Sequence, residues 1–490
     1  MRESGTLMPL SSLPSPYGIG TMGKEAYRFA DFLSRSGLKV WQMLPVTPTS
    51  YGDSPYQSFS THAGNPYFID LDLLCKEGLL KKNEYAALDW GSDPCSVDYE
   101  KLYNQRFPLL KKAAARFFAA PTKEYETFVC EQTAWLEDYA LYMSLKNENN
   151  GKPWYEWPED VRCRKYDALQ ATYARCFDDI LFWRFVQYMF YKQWNELKAY
   201  VNAKDIVILG DLPIYVALDS ADVWANPTLF ALDEELKPVE VAGCPPDYFS
   251  EDGQLWGNPV YNWDVHKETG YAWWLRRIEH ATKVYDRVRI DHFRGFESFW
   301  AIPYGDKTAK NGCWKKGPGM DLFSLVNEKL GKDKIVAEDL GLITPEVKKL
   351  LEDSGYPGMK VLEFAFTPGT DSDYLPFHYG KNCICYTGTH DNDTLAGWLK
   401  TLSKAELNYV KAYTRSKTVE DCAMNLIALA WSSPADTAIT QMQDFIGLGS
   451  ESRMNTPSTA SGNWRWRATK DQINTRLSTK IRALVNLYWR

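Results

Sequence analysis

Along the 490-residue chain, short runs of apolar and β-branched residues recur, each closing on polar or Gly/Pro-rich positions. The runs are LKVWQMLPVTP (38–48), NPYFIDLD (65–72), KDIVILGDLP (204–213), YDRVRIDHF (285–293), KDKIVAEDLG (332–341), GMKVLEFAF (358–366), KNCICYTGTHD (381–391) and DTAITQMQDFIGL (436–448). Between most of them lie stretches with helical period, such as EAYRFADFLSRSG (25–37) and TPEVKKLLEDSG (344–355). The second carries a helix-start signature: Thr344 as N-cap, Pro345 at the first helical position and Glu346 in the first turn. Strands alternating with helices predict a parallel sheet, and eight of them predict a (β/α)8 TIM barrel.

The interval from about 73 to 200 breaks this rhythm and reads as mostly helical, too long for a barrel connection. A second irregular stretch, about 220–280, is rich in Pro, Gly, Trp and Tyr. The predicted organisation is the start of the barrel over 1–72, a large helical insertion over 73–180 and the remainder of the catalytic barrel over 181–490. The irregular insertion sits around the active-site mouth, and no separate C-terminal β-domain is expected.

Composition narrows the function classes. The chain is 45% hydrophobic and 24% charged with a net charge of −7, ordinary for a soluble globular protein. The mild acidic excess gives no support for nucleic acid or anionic membranes, whose partners carry clustered Lys and Arg. With 19 Trp, 30 Tyr and 22 Phe, the aromatic content hints at stacking on sugar rings, although such residues also fill cores. The ten cysteines show no C-x-x-C pair and no metal-ligand spacing. The N-terminus lacks the apolar core of a secretory signal, and no apolar run is long enough to span a bilayer. A cytoplasmic location is expected.

The candidate chemistry collects at strand ends. RVRIDHFRGFESFW (287–300) places Arg289 and Asp291 on one strand face, since strand side chains repeat with period 2, and a neighbouring Arg lowers a carboxylate's pKa. By itself this pair fits a structural ion pair. Asp211, Asp291, Glu338 and the pair His390–Asp391, however, all end predicted strands, and barrel enzymes gather their chemistry at that end. Such a carboxylate cluster is the inventory of glycoside chemistry: one nucleophile and one acid that protonates the leaving oxygen. GIGTMG (18–23) matches G-x-G-x-x-G, but Pro14 and Pro16 spoil the strand that a dinucleotide fingerprint needs before it.

In order and spacing, these segments and several others resemble the amylomaltases, the 4-α-glucanotransferases or disproportionating enzymes of the α-amylase clan. The resemblance is carried by LPSPYGIGTMG, SYGDSPYQSFSTHAGNPYFID (50–70), GDLPIYVALDSADVWANP (210–227), CPPDYFSEDGQLWGNPVYNW (244–263), RIDHFRGFESFWAIP (289–303), AEDLG (337–341), YTGTHDNDT (386–394) and RMNTPSTASGNWRWR (453–467). Family members usually carry Val where this chain has Cys244. The resemblance implies Asp291 as nucleophile with Arg289 keeping it ionised, Glu338 as general acid/base and Asp391 as transition-state stabiliser beside His390. It further implies Asp211 and His292 binding the sugar at the cleaved bond, Tyr56 near that sugar and Trp256 in an acceptor-side lid with Tyr248 and Phe249. Tyr51 would belong to a second glucan site.

The expected mechanism is a retaining double displacement, with the Asp291 and Glu338 carboxyls roughly 5–5.5 Å apart. Expected partners are maltooligosaccharides and α-1,4-glucans. Neither cofactor nor metal is required, and a monomer or homodimer is expected. Two alternatives stay open: a hydrolase of the same clan, and a glucan-binding protein without catalysis, which the three carboxylates disfavour.

Overall fold

The computed structural model describes residues 2–246, 250–459 and 461–490. Its strands are, in chain order, β1 (Glu3–Leu7), β2 (Val40–Gln42), β3 (Val207–Leu212), β4 (Glu240–Cys244), β5 (Gln254–Pro259) and β6 (Arg287–Ile290). They continue with β7 (Ser298–Pro303), β8 (Cys313–Lys316), β9 (Ile335–Ala337), β10 (Gly358–Val361), β11 (Cys383–Tyr386) and β12 (Thr437–Gln441).

Eight strands form one parallel sheet in the order β10-β11-β12-β1-β2-β3-β6-β9. Ala337 N–H donates to Pro357 O at 2.9 Å and Met359 N–H to the Asp339 carboxylate at 2.6 Å, joining the two outer strands. The sheet is therefore a (β/α)8 barrel. Leu7, Val40, Leu209, Val336, Met359, Val361, Ile384, Tyr386 and Ile439 cluster as one buried group, one side chain or two from each of seven strands, as in a filled barrel core.

Seven of the eight predicted runs contain a barrel strand. The exception is NPYFIDLD. Asn65 accepts from Tyr67 N–H and caps a 3-10 turn over Pro66–Phe68, and Asp70 accepts from Leu73 N–H and caps the helix Leu71–Lys76. Pro66 and the two capping side chains outweigh the apolar run, because Asn and Asp offer the backbone partners that start helices. The missing strand is β1, whose sequence ESGTL shows no apolar run. It forms because Ser4 and Thr6 are buried beside β12, with Thr6 Oγ1 donating to Thr440 O at 2.9 Å. Gly5 lets β1 approach β2, since a Cβ there would lie 2.6 Å from the Val40 Cβ.

GIGTMG lies in the connection after β1 and ends at Gly23, the N-cap of helix Lys24–Ser36. A Cβ at Gly23 would sit 2.0 Å from the Asp70 carboxylate, so the glycine admits a capping carboxylate and no phosphate site is formed. The long interval before β3 is helical: Tyr99–Phe117, Lys123–Glu131, Thr133–Glu148, Tyr166–Arg175 and Phe177–Asn202. The last of these leads directly into β3. The stretch expected to be irregular builds half of a second sheet, antiparallel, in the order β5-β4-β7-β8. Its other half comes from the connection after β6, so two neighbouring barrel loops pair over the mouth. Among the described residues no strand follows β12, and no helix is long and apolar enough to cross a membrane.

Candidate active site

Arg289, on β6, organises the mouth of the barrel. Its guanidinium donates from Nε to Asp211 Oδ1 at 3.0 Å and from Nη2 to Asp211 Oδ2 at 2.6 Å, and Nη2 also reaches Asp291 Oδ1 at 2.9 Å. Burial opposes the charge of Arg289, but Asp211 and Asp291 outweigh it and hold the guanidinium protonated. The Asp211 side chain is fully buried, whereas 30% of the Asp291 side chain is exposed. Asp211 is thus the anchored partner and Asp291 the one open to the cleft.

Two of the three contacts of Arg289 go to Asp211, so the guanidinium ties Asp291 to a second, buried carboxylate as well as countering its charge. The Asp291 carboxyl is pushed above the ordinary carboxylate range by burial and by Asp211, Glu338 and Asp391, against the pull of Arg289.

Glu338 follows β9, the neighbour of β6, and is held from both sides. Its Oε2 accepts from His292 N–H at 2.6 Å and its Oε1 from Leu340 N–H at 2.8 Å. His292 has φ +49°, a left-handed conformation that is uncommon for a non-glycine residue and that belongs to a turn delivering its N–H to Glu338. Burial pushes Glu338 up to about 7, against Arg289 and the two N–H bonds. Asp339 faces the other way and accepts from Met359 N–H, so it is committed to the barrel wall.

Tyr56 and His390 form the opposite side. The Tyr56 hydroxyl donates to Asp211 Oδ2 at 2.6 Å, and its ring stacks on His390 with centroids 5.1 Å apart. Trp464 packs against both rings, 5.6 Å and 5.9 Å away. His390 Nε2 lies 3.4 Å from Asp391 Oδ2, and 47% of the Asp391 side chain is exposed. Burial pushes His390 below its ordinary value despite Asp391, so the ring is neutral at neutral pH.

Trp256, on β5, meets the His292 ring edge-to-face at 4.9 Å, and its indole N–H donates to Gln254 Oε1 at 3.1 Å. Burial and Arg294 lower His292 to about 3, so this ring also enters chemistry uncharged. Tyr248, Phe249 and the side chain of Tyr51 lie outside the described residues.

All nine site residues read from the sequence therefore meet at one mouth through a continuous chain of contacts. Arg453, Asn455 and Trp464 were not singled out. Asn455 Nδ2 donates to Asp391 Oδ1 at 2.6 Å and Arg453 Nη2 to Asp391 O at 2.6 Å. All three fall within RMNTPSTASGNWRWR, and that aromatic- and amide-rich composition was the available signal.

A parallel barrel with carboxylates from three strands around one buried arginine defines a barrel enzyme acting on glycosidic bonds. The sequence profile of the 4-alpha-glucanotransferase family matches residues 8–473. A 4-alpha-glucanotransferase of Clostridium butyricum is 47% identical over 485 residues, covering 99% of this chain and 100% of the relative. One of Thermus thermophilus is 45% identical, covering 99% and 98%. The solved amylomaltase of Streptococcus agalactiae in complex with acarbose superimposes with a TM-score of 0.98 at 43% identity over 100% of both chains. The chain belongs to the 4-alpha-glucanotransferase family and is an enzyme of that activity.

Proposed function

We propose that this enzyme transfers segments of α-1,4-glucans to the 4-hydroxyl of an acceptor glucan or glucose by a retaining double displacement. Asp291 attacks the anomeric carbon and the bond to the departing 4-oxygen breaks as Glu338 donates its proton to that oxygen. Glu338, now a base, takes the proton of the incoming 4-hydroxyl, whose oxygen displaces Asp291 and restores the α-linkage. The observation that carries this reading is the Asp211–Arg289–Asp291 bridge beside a Glu338 pushed up to about 7. Asp291 accepts from a guanidinium while Glu338 accepts from neutral backbone N–H groups, and carboxyls in different environments are how one site holds an acid and a nucleophile together.

The charge of Glu338 raises Asp291, so the two carboxyls oppose each other's ionisation, and the reactive form places the charge on Asp291, next to Arg289, and the proton on Glu338. The flattened, oxocarbenium-like sugar of the transition state is met by Asp391 and by neutral His390. Tyr56 and His292 line the sugar at the cleaved bond, and Asp211, expected there from the sequence, is instead buried behind them, holding Tyr56 and Arg289. Trp256 offers the acceptor an apolar face. Bulk water is about 55 M, so a sugar acceptor wins through positioning, which supplies effective molarities on the order of 10⁵ M and above.

The test is incubation with maltotriose and chromatography of the products, beside Asp291→Asn. A ladder of longer maltooligosaccharides plus glucose, absent in the variant, is expected. Maltose and glucose without longer products would assign hydrolysis instead.

A further inference from the structure

The segment that carries His390 and Asp391 begins where β11 ends, at Thr387, and closes at Leu395, the first residue of helix Leu395–Thr401. It has no regular structure of its own, yet it is fastened along its length by residues from Gln441 to Asn455. Gln441 Nε2 donates to Asp393 O at 3.1 Å, and Ser450 Oγ to Asp393 Oδ2 at 2.7 Å. Arg453 and Asn455 hold Asp391 as described, and Asn455 N–H donates to His390 O at 3.1 Å. Asp444 fastens both ends at once. Its Oδ2 accepts from Thr387 Oγ1 at 2.9 Å and its Oδ1 from Leu395 N–H at 2.8 Å.

Asp444 itself is buried on the short helix Met442–Ile446, behind the segment it binds. Both of its oxygens are committed. A loop whose two ends share one carboxylate cannot shift at one end without straining a bond at the other, and a misplacement of about 1 Å in a catalytic group costs on the order of 100-fold in rate.

We propose that Asp444 is a positioning residue for the reaction: by pinning Thr387 and Leu395 to one buried carboxylate, it sets Asp391 against the transition state. This inference rests on the reading of Asp391 as the stabiliser. Asp444 touches no substrate, so its loss lowers turnover and leaves the binding of intact glucan in place. The bonds can be kept without the charge. In Asp444→Asn, the amide oxygen accepts from Leu395 N–H and the amide nitrogen donates to Thr387 Oγ1, and most of the turnover is retained.

The experiment is a double-mutant cycle on maltotriose disproportionation with Asp391→Asn, Asp444→Ala and the double variant, with Asp444→Asn alongside. Asp444→Ala is expected to lower kcat about 10- to 100-fold with KM little changed. The double variant is expected within about twofold of Asp391→Asn, because distant independent losses would multiply and coupled ones do not. If Asp444→Ala does not fold, Thr387→Val removes one of the two bonds and takes its place in the cycle. An unchanged kcat, a loss that multiplies fully onto Asp391→Asn, or an Asp444→Asn as impaired as Asp444→Ala would overturn the proposal. An Asp391→Asn enzyme with wild-type turnover would instead overturn the role of Asp391 itself.

Discussion

Replacing Arg289 by Met removes the guanidinium at nearly constant length and leaves Asp211 and Asp291 with no shared cation. Deleting one partner of a buried ion pair costs about 3–5 kcal/mol, and this pair is buried, with 3% of the Arg289 side chain and none of the Asp211 side chain exposed. An unfolding entropy of about 2.1 cal/mol/K per residue, applied to 490 residues, makes each kcal/mol about 1 °C, so the Tm falls by about 3–5 °C at neutral pH. The loss depends on pH in a definite direction. Asp291 is already pushed up in the folded state against the pull of Arg289. Without that pull it rises further, so the folded protein binds more protons than the unfolded chain and stability falls as pH rises above about 4, the unfolded carboxylate value. The deficit against wild type therefore widens from pH 5 to pH 8. Turnover drops as well: one charge-assisted hydrogen bond to Asp291 is worth about 1.5–3 kcal/mol, or about 10- to 150-fold in kcat. Calorimetry across that pH range, paired with maltotriose assays, reads both effects. A Tm deficit that shrinks as pH rises, or turnover within twofold of wild type, would refute the reasoning.

Glu338, pushed up to about 7 by burial, must be protonated for the first displacement, so kcat/KM for maltotriose falls about tenfold per pH unit above about 7. Profiles from pH 5 to 9 check this, and Glu338→Gln abolishes that limb along with most of the activity. Tyr56→Phe deletes the 2.6 Å bond to Asp211 and costs about 1.5–3 kcal/mol of transition-state stabilisation, read as kcat/KM, while an unchanged value would remove Tyr56 from the site. Gly23→Ala drives a Cβ to 2.0 Å from the Asp70 carboxylate, and overpacking of that kind costs about 1–3 kcal/mol. A Tm lower by about 1–3 °C with unchanged kcat is expected, and a large loss of turnover would mean that GIGTMG reaches the site.

The barrel was legible wherever a buried strand is a continuous apolar run bounded by a polar end, as in DIVILGDL and KIVAEDLG. It was illegible where polar residues are buried: ESGTL makes β1 through Ser4, Thr6 and a close approach at Gly5. NPYFIDLD misled in the opposite direction, because local capping by Asn65 and Asp70 decides its fold and hydrophobicity does not. The antiparallel sheet over the mouth joins residues 240–259 with 298–316. Pairing between two separate loops leaves no period in either one. At the site, the convergence of strand-end residues on one mouth was readable because a parallel barrel brings its strand ends together. The partition of Arg289 between two carboxylates was not, since it depends on which side chain lies across the barrel and not on which lies two residues away. Asp444, Arg453 and Asn455 hold the loop that carries His390 and Asp391 from 49 to 64 positions further along the chain, a relation no local pattern records.

The central claim is that Asp291 forms a covalent bond to the sugar while Glu338 moves the protons. It is tested most directly by mass spectrometry of the Glu338→Gln variant mixed with α-maltotriosyl fluoride. Fluoride departs without help from an acid, so the first displacement proceeds, while the second stalls for want of a base. The account predicts a stable adduct of one maltotriosyl unit, located by peptide mapping on Asp291 and absent in the Asp291→Asn, Glu338→Gln double variant. Fluoride release with no adduct, or an adduct on a different carboxylate, would contradict it.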